Sequence, residues 1–216
     1  IVDNEKTLNI QAVLNMGDMT DTGAAEQWVV SKKGMDLLNS TDIAWMPMMG
    51  NHDDSAGFNS TYDYATYGSG RSWFGGSYQS GKLDHTYWFV DAGDRDYLVF
   101  SLGWMPTVSV LSWAEGILQQ HPDKNVIVTV HAYMNSNGAL LSKADFGIAG
   151  LFPQIPDGQQ IWDTFKKYEN VVLMMSGHVH SEDIVSYVDQ NAANKDVASL
   201  LLDRQNDDTE QKLGTL

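Results

Sequence analysis

Ile43-Ala44-Trp45-Met46-Pro47-Met48-Met49 runs without a break into Gly50-Asn51-His52-Asp53. A nearly continuous apolar run of this length reads as a strand covered on both faces. Three other segments repeat the pattern of an apolar run followed by an abrupt polar switch. They are Ile10 to Met16 before Gly17-Asp18, Val126 to Val130 before His131, and Val171 to Met175 before Ser176-Gly177-His178. In an α/β sheet, polar groups placed at the carboxyl ends of neighbouring strands converge on one edge, where ligands bind.

Working outward, the segments between these runs carry helical periodicity. Ala24, Trp28, Met35 and Leu38 share one stripe, with Thr22 as N-cap and Glu26 in the first turn. Val110, Trp113, Ile117 and Leu118 form a second stripe that should end before Pro122, and Ile161, Phe165 and Tyr168 form a third. Thr86 to Val90 and Tyr97 to Leu102, joined across Gly93-Asp94, read as a hairpin, as do Ile184 to Val188 and Val197 to Leu202. The expected fold is α/β, a mixed β-sheet sandwich flanked by helices. Two long stretches, Asp54 to Asp84 and Ala132 to Gly158, are rich in Gly, Ser or Asn and read as loops that are either functional or ordinary surface insertions.

The chain has 216 residues, 43% of them hydrophobic and 19% charged, with no apolar run long enough to span a bilayer. That length suits one domain, residues 1–216, with a sizeable core. The opening at Ile1 and the stop at Leu216, soon after the run Val197 to Asp203, read as a domain incomplete at both ends. The net charge of -15 repels nucleic acid and anionic membranes, so a phosphate-bearing substrate needs local positive charge, for which a metal is the obvious source. With no cysteine, disulfide scaffolds, thiol catalysis and thiolate metal sites are excluded.

The polar switches supply Asp18, Asp21, Asn51, His52, His131, His178 and His180, including four of the six histidines. Imidazole, carboxylate and amide donors suit Zn²⁺, Mn²⁺ or Fe. An extended run would point His178 and His180 to the same side, whereas a turn after Gly177 would aim them at neighbouring metals. A single buried histidine is an ordinary core residue; four at strand ends, joined by Asp and Asn, are not. His121 stands at a helix end before Pro122, and His85 opens a strand beside the first long loop.

Gly17-Asp18-Met19-Thr20-Asp21, Gly50-Asn51-His52-Asp53, His131 after its apolar run, and Gly177-His178-Val179-His180 together resemble the calcineurin-like metallophosphoesterases. The order is right and the likeness runs over about residues 10–203. Trp73-Phe74-Gly75-Gly76 and Ser112-Trp113-Ala114 look like a bacterial, exported branch, which implies an extracytoplasmic location.

The resemblance implies hydrolysis of phosphoester bonds by a dinuclear divalent-metal centre (Mn, Fe or Zn) and a metal-activated water. Asp18 would bridge the metals, Asn51, His131 and His178 would complete the second site, and His180 would belong to the first. His52 would act as general acid towards the leaving group, with the Asp21 carboxylate orienting its ring, although Asp21 could also simply cap a helix. Arg71, Tyr133 and Asn135 are candidate substrate contacts, and the aromatic stretch Tyr62 to Tyr78 is either a lid or a stacking surface.

One departure stands out. The family's Asp-x-His or Asp-x-Gln motif on an earlier strand has no match here, which leaves Asp18 and His180 alone at the first site. The expectation is therefore a chain lacking the first strand of the fold, one that holds one metal or none and can be inactive. A strand missing beside the sheet would leave an open apolar edge, hence a dimer or swapped oligomer. The alternative is a non-catalytic surface module that keeps one metal and binds a glycan or protein through its aromatic loops.

Overall fold

The computed structural model describes residues 1–146 and 153–203. A 3-10 turn, Val2–Asn4, leads into a single helical turn, α1 (Glu5–Leu8), and then into β1 (Ala12–Val13). Next come α2 (Ala25–Met35), a 3-10 turn at Asp36–Ser40, β2 (Ala44–Trp45), α3 (Ser55–Thr61) and a π-helical turn at Tyr64–Ser69. The strands β3 (Phe74–Ser77), β4 (His85–Asp91) and β5 (Asp96–Leu102) precede α4 (Val108–Gln120) and β6 (Asn125–Val130). The chain closes with α5 (Gly158–Phe165), β7 (Val171–Ser176), β8 (Val185–Gln190) and β9 (Asp196–Leu201).

Seven strands form one mixed sheet in the order β3-β4-β5-β6-β7-β9-β8. The neighbours β5, β6, β7 and β9 run parallel, and antiparallel strands flank them on both sides. β1 and β2 make a separate parallel pair. Side chains alternate across the large sheet as strand geometry requires. Leu98, Phe100 and Leu102 of β5, with Val126, Val128 and Val130 of β6, meet Val110, Leu118, Ile161 and Phe165 on one face. Val99 of β5 and Trp88 and Val90 of β4 point the other way, into a core with Trp28, Ile43, Trp45 and Met46. This is the expected mixed α/β arrangement with helices outside.

Both hairpins form as read, the first with Tyr97 opposite Val90 and the second with Ala198 opposite Val188. α4 stops at His121, before Pro122. The two leading strands are shorter than expected. Of Ile10 to Met16, only Ala12–Val13 pairs, and its residues are half-buried; of Ile43 to Met49, only Ala44–Trp45 pairs. Burial is not the difference at β2, since Ile43, Trp45, Met46 and Met48 are fully buried. The cap of α2 is also corrected: Ala24 occupies the N-cap with no side-chain bond, and Thr22 is held instead through its NH and Oγ1 by Gln27 Oε1.

The stretch 54–84 is a further correction, because it is not a loop. The Asp54 carboxylate accepts from Gly57 NH to start α3, and Asp63 accepts from Thr66 NH to start the π-helical turn. Tyr62 and Tyr67 are buried, packed edge-on against each other and against Trp45. These rings belong to the core, and only Tyr78 of the group is well exposed. In the second stretch, Met134 bridges to Leu140 across a turn; residues 147–152 lie outside the described residues. Among the described residues, no helix is long and apolar enough to cross a membrane.

Candidate metal and catalytic centre

The polar switches meet where the β1–α2 and β2–α3 connections reach the carboxyl ends of β6 and β7. Two backbone constraints bring the first pair together. The Asp53 carboxylate, buried, accepts from Met19 NH and Gly50 NH through Oδ2 and from Thr20 NH and Thr20 Oγ1 through Oδ1. One side chain thus staples the turn at Asp18 to the turn at Asn51. A Cβ on Gly50 would lie 2.0 Å from Asp18 Oδ1, so only glycine allows the two turns this close. His52 NH then donates to Asp18 Oδ1 at 3.0 Å.

Asn51 is the centre of the cluster. Its Oδ1 lies 2.8 Å from His131 Nε2 and 2.8 Å from His178 Nδ1, while Asp18 Oδ1 is 3.5 Å from the same His131 nitrogen. His131, buried, places Nδ1 2.6 Å from the Met16 carbonyl, which can only accept, so that nitrogen carries a proton. A neutral His131 therefore turns a lone pair at Nε2 towards an amide oxygen that also has only lone pairs. One solution is a metal ion among these donors. Turning the Asn51 amide to present its NH₂ is another.

Burial, with the neighbouring His131 adding to it, pulls the His178 pKa down, which keeps this ring a neutral donor. Asp18 and His178 both adopt left-handed backbone conformations, φ 52 and φ 69, which are uncommon for residues with a Cβ and concentrate at functional sites.

His52 sits at the rim of the cluster. Its Nδ1 is 2.6 Å from the Asp21 main-chain carbonyl, whereas the nearer Asp21 carboxylate oxygen is 3.8 Å away on an exposed side chain. Asp21 does meet His52, but it is the peptide that orients the ring and not the carboxylate. That carbonyl bond, with help from the negative Asp18, raises the His52 pKa against the opposing effect of burial.

Among the described residues, the other expected residues form no hydrogen bond or ion pair with Asp18, Asn51, His131 or His178. His180 Nδ1 is buried and has no hydrogen-bond partner among the described residues. The Arg71 guanidinium stacks on Trp45, Tyr67 and Trp73 and donates to Asn39 Oδ1, so it braces the aromatic core instead of reaching the cluster. Tyr133 is buried and bonded to Ser199, with its phenol pushed up to about 12 by burial. Asn135 closes a turn with Ser136 and Ala139. Tyr62 and Tyr67 are core and present no surface to a glycan or protein, while Tyr78 of the same stretch is exposed.

Two residues of the site escaped the sequence reading. Asp53 was visible in its motif but carried no role. Trp104 follows the run Tyr97 to Leu102 and Gly103, the same apolar-to-glycine switch as at the other strand ends, and that switch was the available signal. Its indole closes one side of the cluster against His131 and His178. Among the described residues, no three His, Cys, Asp or Glu side chains gather closely enough to hold a metal by themselves; here the shared donor is the carboxamide of Asn51.

A layered α/β frame brings a carboxylate, a carboxamide and imidazoles together at its strand ends, donor types that suit a divalent metal. The calcineurin-like phosphoesterase model matches residues 2–182, and the chain belongs to that family, which in general uses divalent metals. It is 31% identical over 188 residues to an uncharacterized Bacillus subtilis (strain 168) protein, YvnB, a match that covers 84% of this chain and 13% of that protein. The fold is similar to TT1561 of Thermus thermophilus, with a TM-score of 0.53 and 11% identity over 94% of this chain and 81% of the other. It is likewise similar to the purple acid phosphatase PPD1 of yellow lupin (Lupinus luteus) seeds, with a TM-score of 0.52 and 16% identity over 93% of this chain and 38% of the other.

Proposed function

We propose that this chain is a divalent-metal phosphoester hydrolase domain in which Asp18, Asn51, His131 and His178 hold one ion and His52 delivers the proton to the departing oxygen. The observation that carries this reading is the convergence of acceptor atoms on Asn51 Oδ1, 2.8 Å from a nitrogen of each imidazole. Nitrogen and oxygen donors of this kind fit Mn²⁺, Fe or Zn²⁺. When bound, such an ion supplies positive charge to the phosphate oxygens and lowers the pKa of a water towards about 7. A second ion would draw on Asp18 and His180, with fewer donors than the site around Asn51.

The chain's own residues supply the rest. His52 Nδ1–H donates to the Asp21 carbonyl, which leaves Nε2 as the end that carries the transferable proton. Delivery of that proton to the alkoxide returns a neutral ring still held at Nδ1. Trp104 packs against His131 and His178 on one side of the cluster. In a molecule of net charge -15, such a centre and His52 would supply a phosphoester with local compensating charge.

The test is to load the chain with Mn²⁺, count metal per chain by mass spectrometry, and follow a chromogenic phosphomonoester and phosphodiester. His52→Ala should lower turnover by about 10²–10⁴-fold with metal content unchanged, the usual range for general acid catalysis. Loss of metal in that variant would make His52 a ligand. Absence of bound metal in the unaltered chain would refute the reading altogether.

A further inference from the structure

Trp104 belongs to none of the motifs that define the site, yet the fold fixes its position closely. Its NH donates to the Met49 carbonyl at 2.9 Å, and Gly103 NH donates to the Asp84 carbonyl at 3.1 Å. A Cβ on Gly103 would lie 2.7 Å from the Asp84 oxygen and 2.9 Å from the Met49 oxygen, so the chain passes here only as glycine. Met105, the next residue after the tryptophan, adopts φ 49, an uncommon conformation for a residue with a side chain.

What this backbone presents is an indole against two imidazoles. The Trp104 ring is 4.8 Å from the His178 ring at 42° and 5.6 Å from the His131 ring at 77°, with Phe146 behind it at 5.8 Å. The two imidazoles differ in how they are held. His131 is fixed at both nitrogens, by the Met16 carbonyl and by Asn51. Among the described residues, the His178 ring has one hydrogen bond, between Nδ1 and Asn51 Oδ1. Half a turn about its Cβ–Cγ bond would put a carbon where that nitrogen stands, and such terminal torsions are broad and two-fold. Two rings pack on His178 and oppose the turn, the Trp104 indole at 4.8 Å and the His131 imidazole at 5.1 Å, and the indole is the nearer.

We infer that Trp104 is a positioning residue for the donor cluster: its indole clamps the plane of His178 so that Nδ1 stays aimed at the Asn51 oxygen. The link to metal rests on the proposed reading of these residues as donors; the clamp itself does not. Partners that orient a metal-ligating histidine are typically worth about 10–100-fold in metal affinity.

The test uses the full chain with ¹⁵N-labelled histidine, unaltered and as Trp104→Phe, Trp104→Leu and Trp104→Ala, each checked for folding by circular dichroism. Long-range ¹H–¹⁵N spectra should show a single His178 pattern in the unaltered chain and in Trp104→Phe, which keeps an aromatic face. Averaged or doubled signals are expected in Trp104→Ala, or in Trp104→Leu if the alanine variant fails to fold. Calorimetric titration with MnCl₂ should show affinity about 10–100-fold weaker in the variants without a ring and close to unaltered in Trp104→Phe. An unchanged His178 pattern in a folded variant without the ring overturns the inference, and so does a Trp104→Phe variant that behaves like Trp104→Ala. If the unaltered chain binds no Mn²⁺, the metal reading fails, while the spectra still decide the role of Trp104.

Discussion

His85 opens β4 with its ring against Tyr78 and its Nδ1 shut away from water, without a partner among the described residues. Burial pushes its pKa down to about 4, and the nearby Asp84 opposes this only in part. The ordinary value of 6.5 applies in the unfolded chain, so unfolding takes up a proton below that pH. The stability due to the neutral ring is complete above pH 6.5 and is lost as the pH falls through the folded value near 4. The full span is worth about 3 kcal/mol at most. His85→Gln cannot charge, so its stability relative to the unaltered chain should improve as the pH falls from about 7 to about 4.5. Urea unfolding of both proteins across that range checks this, and parallel curves would count against it. Residue identity was legible at the site in a specific sense. Asp18, Asn51, His131 and His178 do meet, because each comes after an apolar run and the end of a strand aims the residues beyond it. Which atom acts was not legible: Asp21 holds His52 with its peptide oxygen, and a motif encodes side chains only.

Among the elements, α5 shows how much a cap contributes. Asp157 Oδ1 accepts from Gln160 NH at 2.8 Å and Gln160 Oε1 accepts from Asp157 NH at 3.1 Å, a reciprocal capping box. Behind it, Ile161, Trp162 and Phe165 are buried against the sheet. Asp157→Ala should cost about 1 kcal/mol and shift the denaturant midpoint without changing the slope. A cost near zero would mean that packing alone sets this helix end. α2 has no such cap at Ala24 and relies on Trp28, which is why its start was misread: Thr22 is the right residue type, but Gln27 occupies its hydroxyl. The stretch 54–84 was missed for a related reason. Its Gly and Ser content reads as loop, whereas the side chains of Asp54 and Asp63 each start a helical turn and the tyrosines between find one another in three dimensions. The hairpins and the strands β6 and β7, whose pattern is local, were read correctly, whereas the runs Ile10 to Met16 and Ile43 to Met49 pair over two residues each; contacts between distant aromatics leave no periodic trace.

At the scale of the molecule, two opposing features decide how copies of this chain meet. β8 is an outer strand of the seven-stranded sheet, exposed along almost its whole length, and Tyr187 and Val188, with Ile184 just before it, are more than half exposed. Such an edge offers unpaired peptide groups and apolar side chains to a second strand. Against that stands a net charge of -15, which repels another copy before the edges can touch. The repulsion depends on salt and the apolar contact does not. The screening length shrinks from about 30 Å at 0.01 M to about 3 Å at 1 M, so added salt removes the barrier and leaves the edge. The chain should therefore sediment as a monomer at low ionic strength and form dimers as sodium chloride rises towards about 0.5 M. Val188→Lys places a charge on the edge, the usual way natural sheets block such pairing, and should keep the chain monomeric throughout even though it lowers the net negative charge. Sedimentation velocity separates the possibilities: association that persists in Val188→Lys would move the interface away from β8, and a monomer at every salt concentration would mean that this edge does not pair.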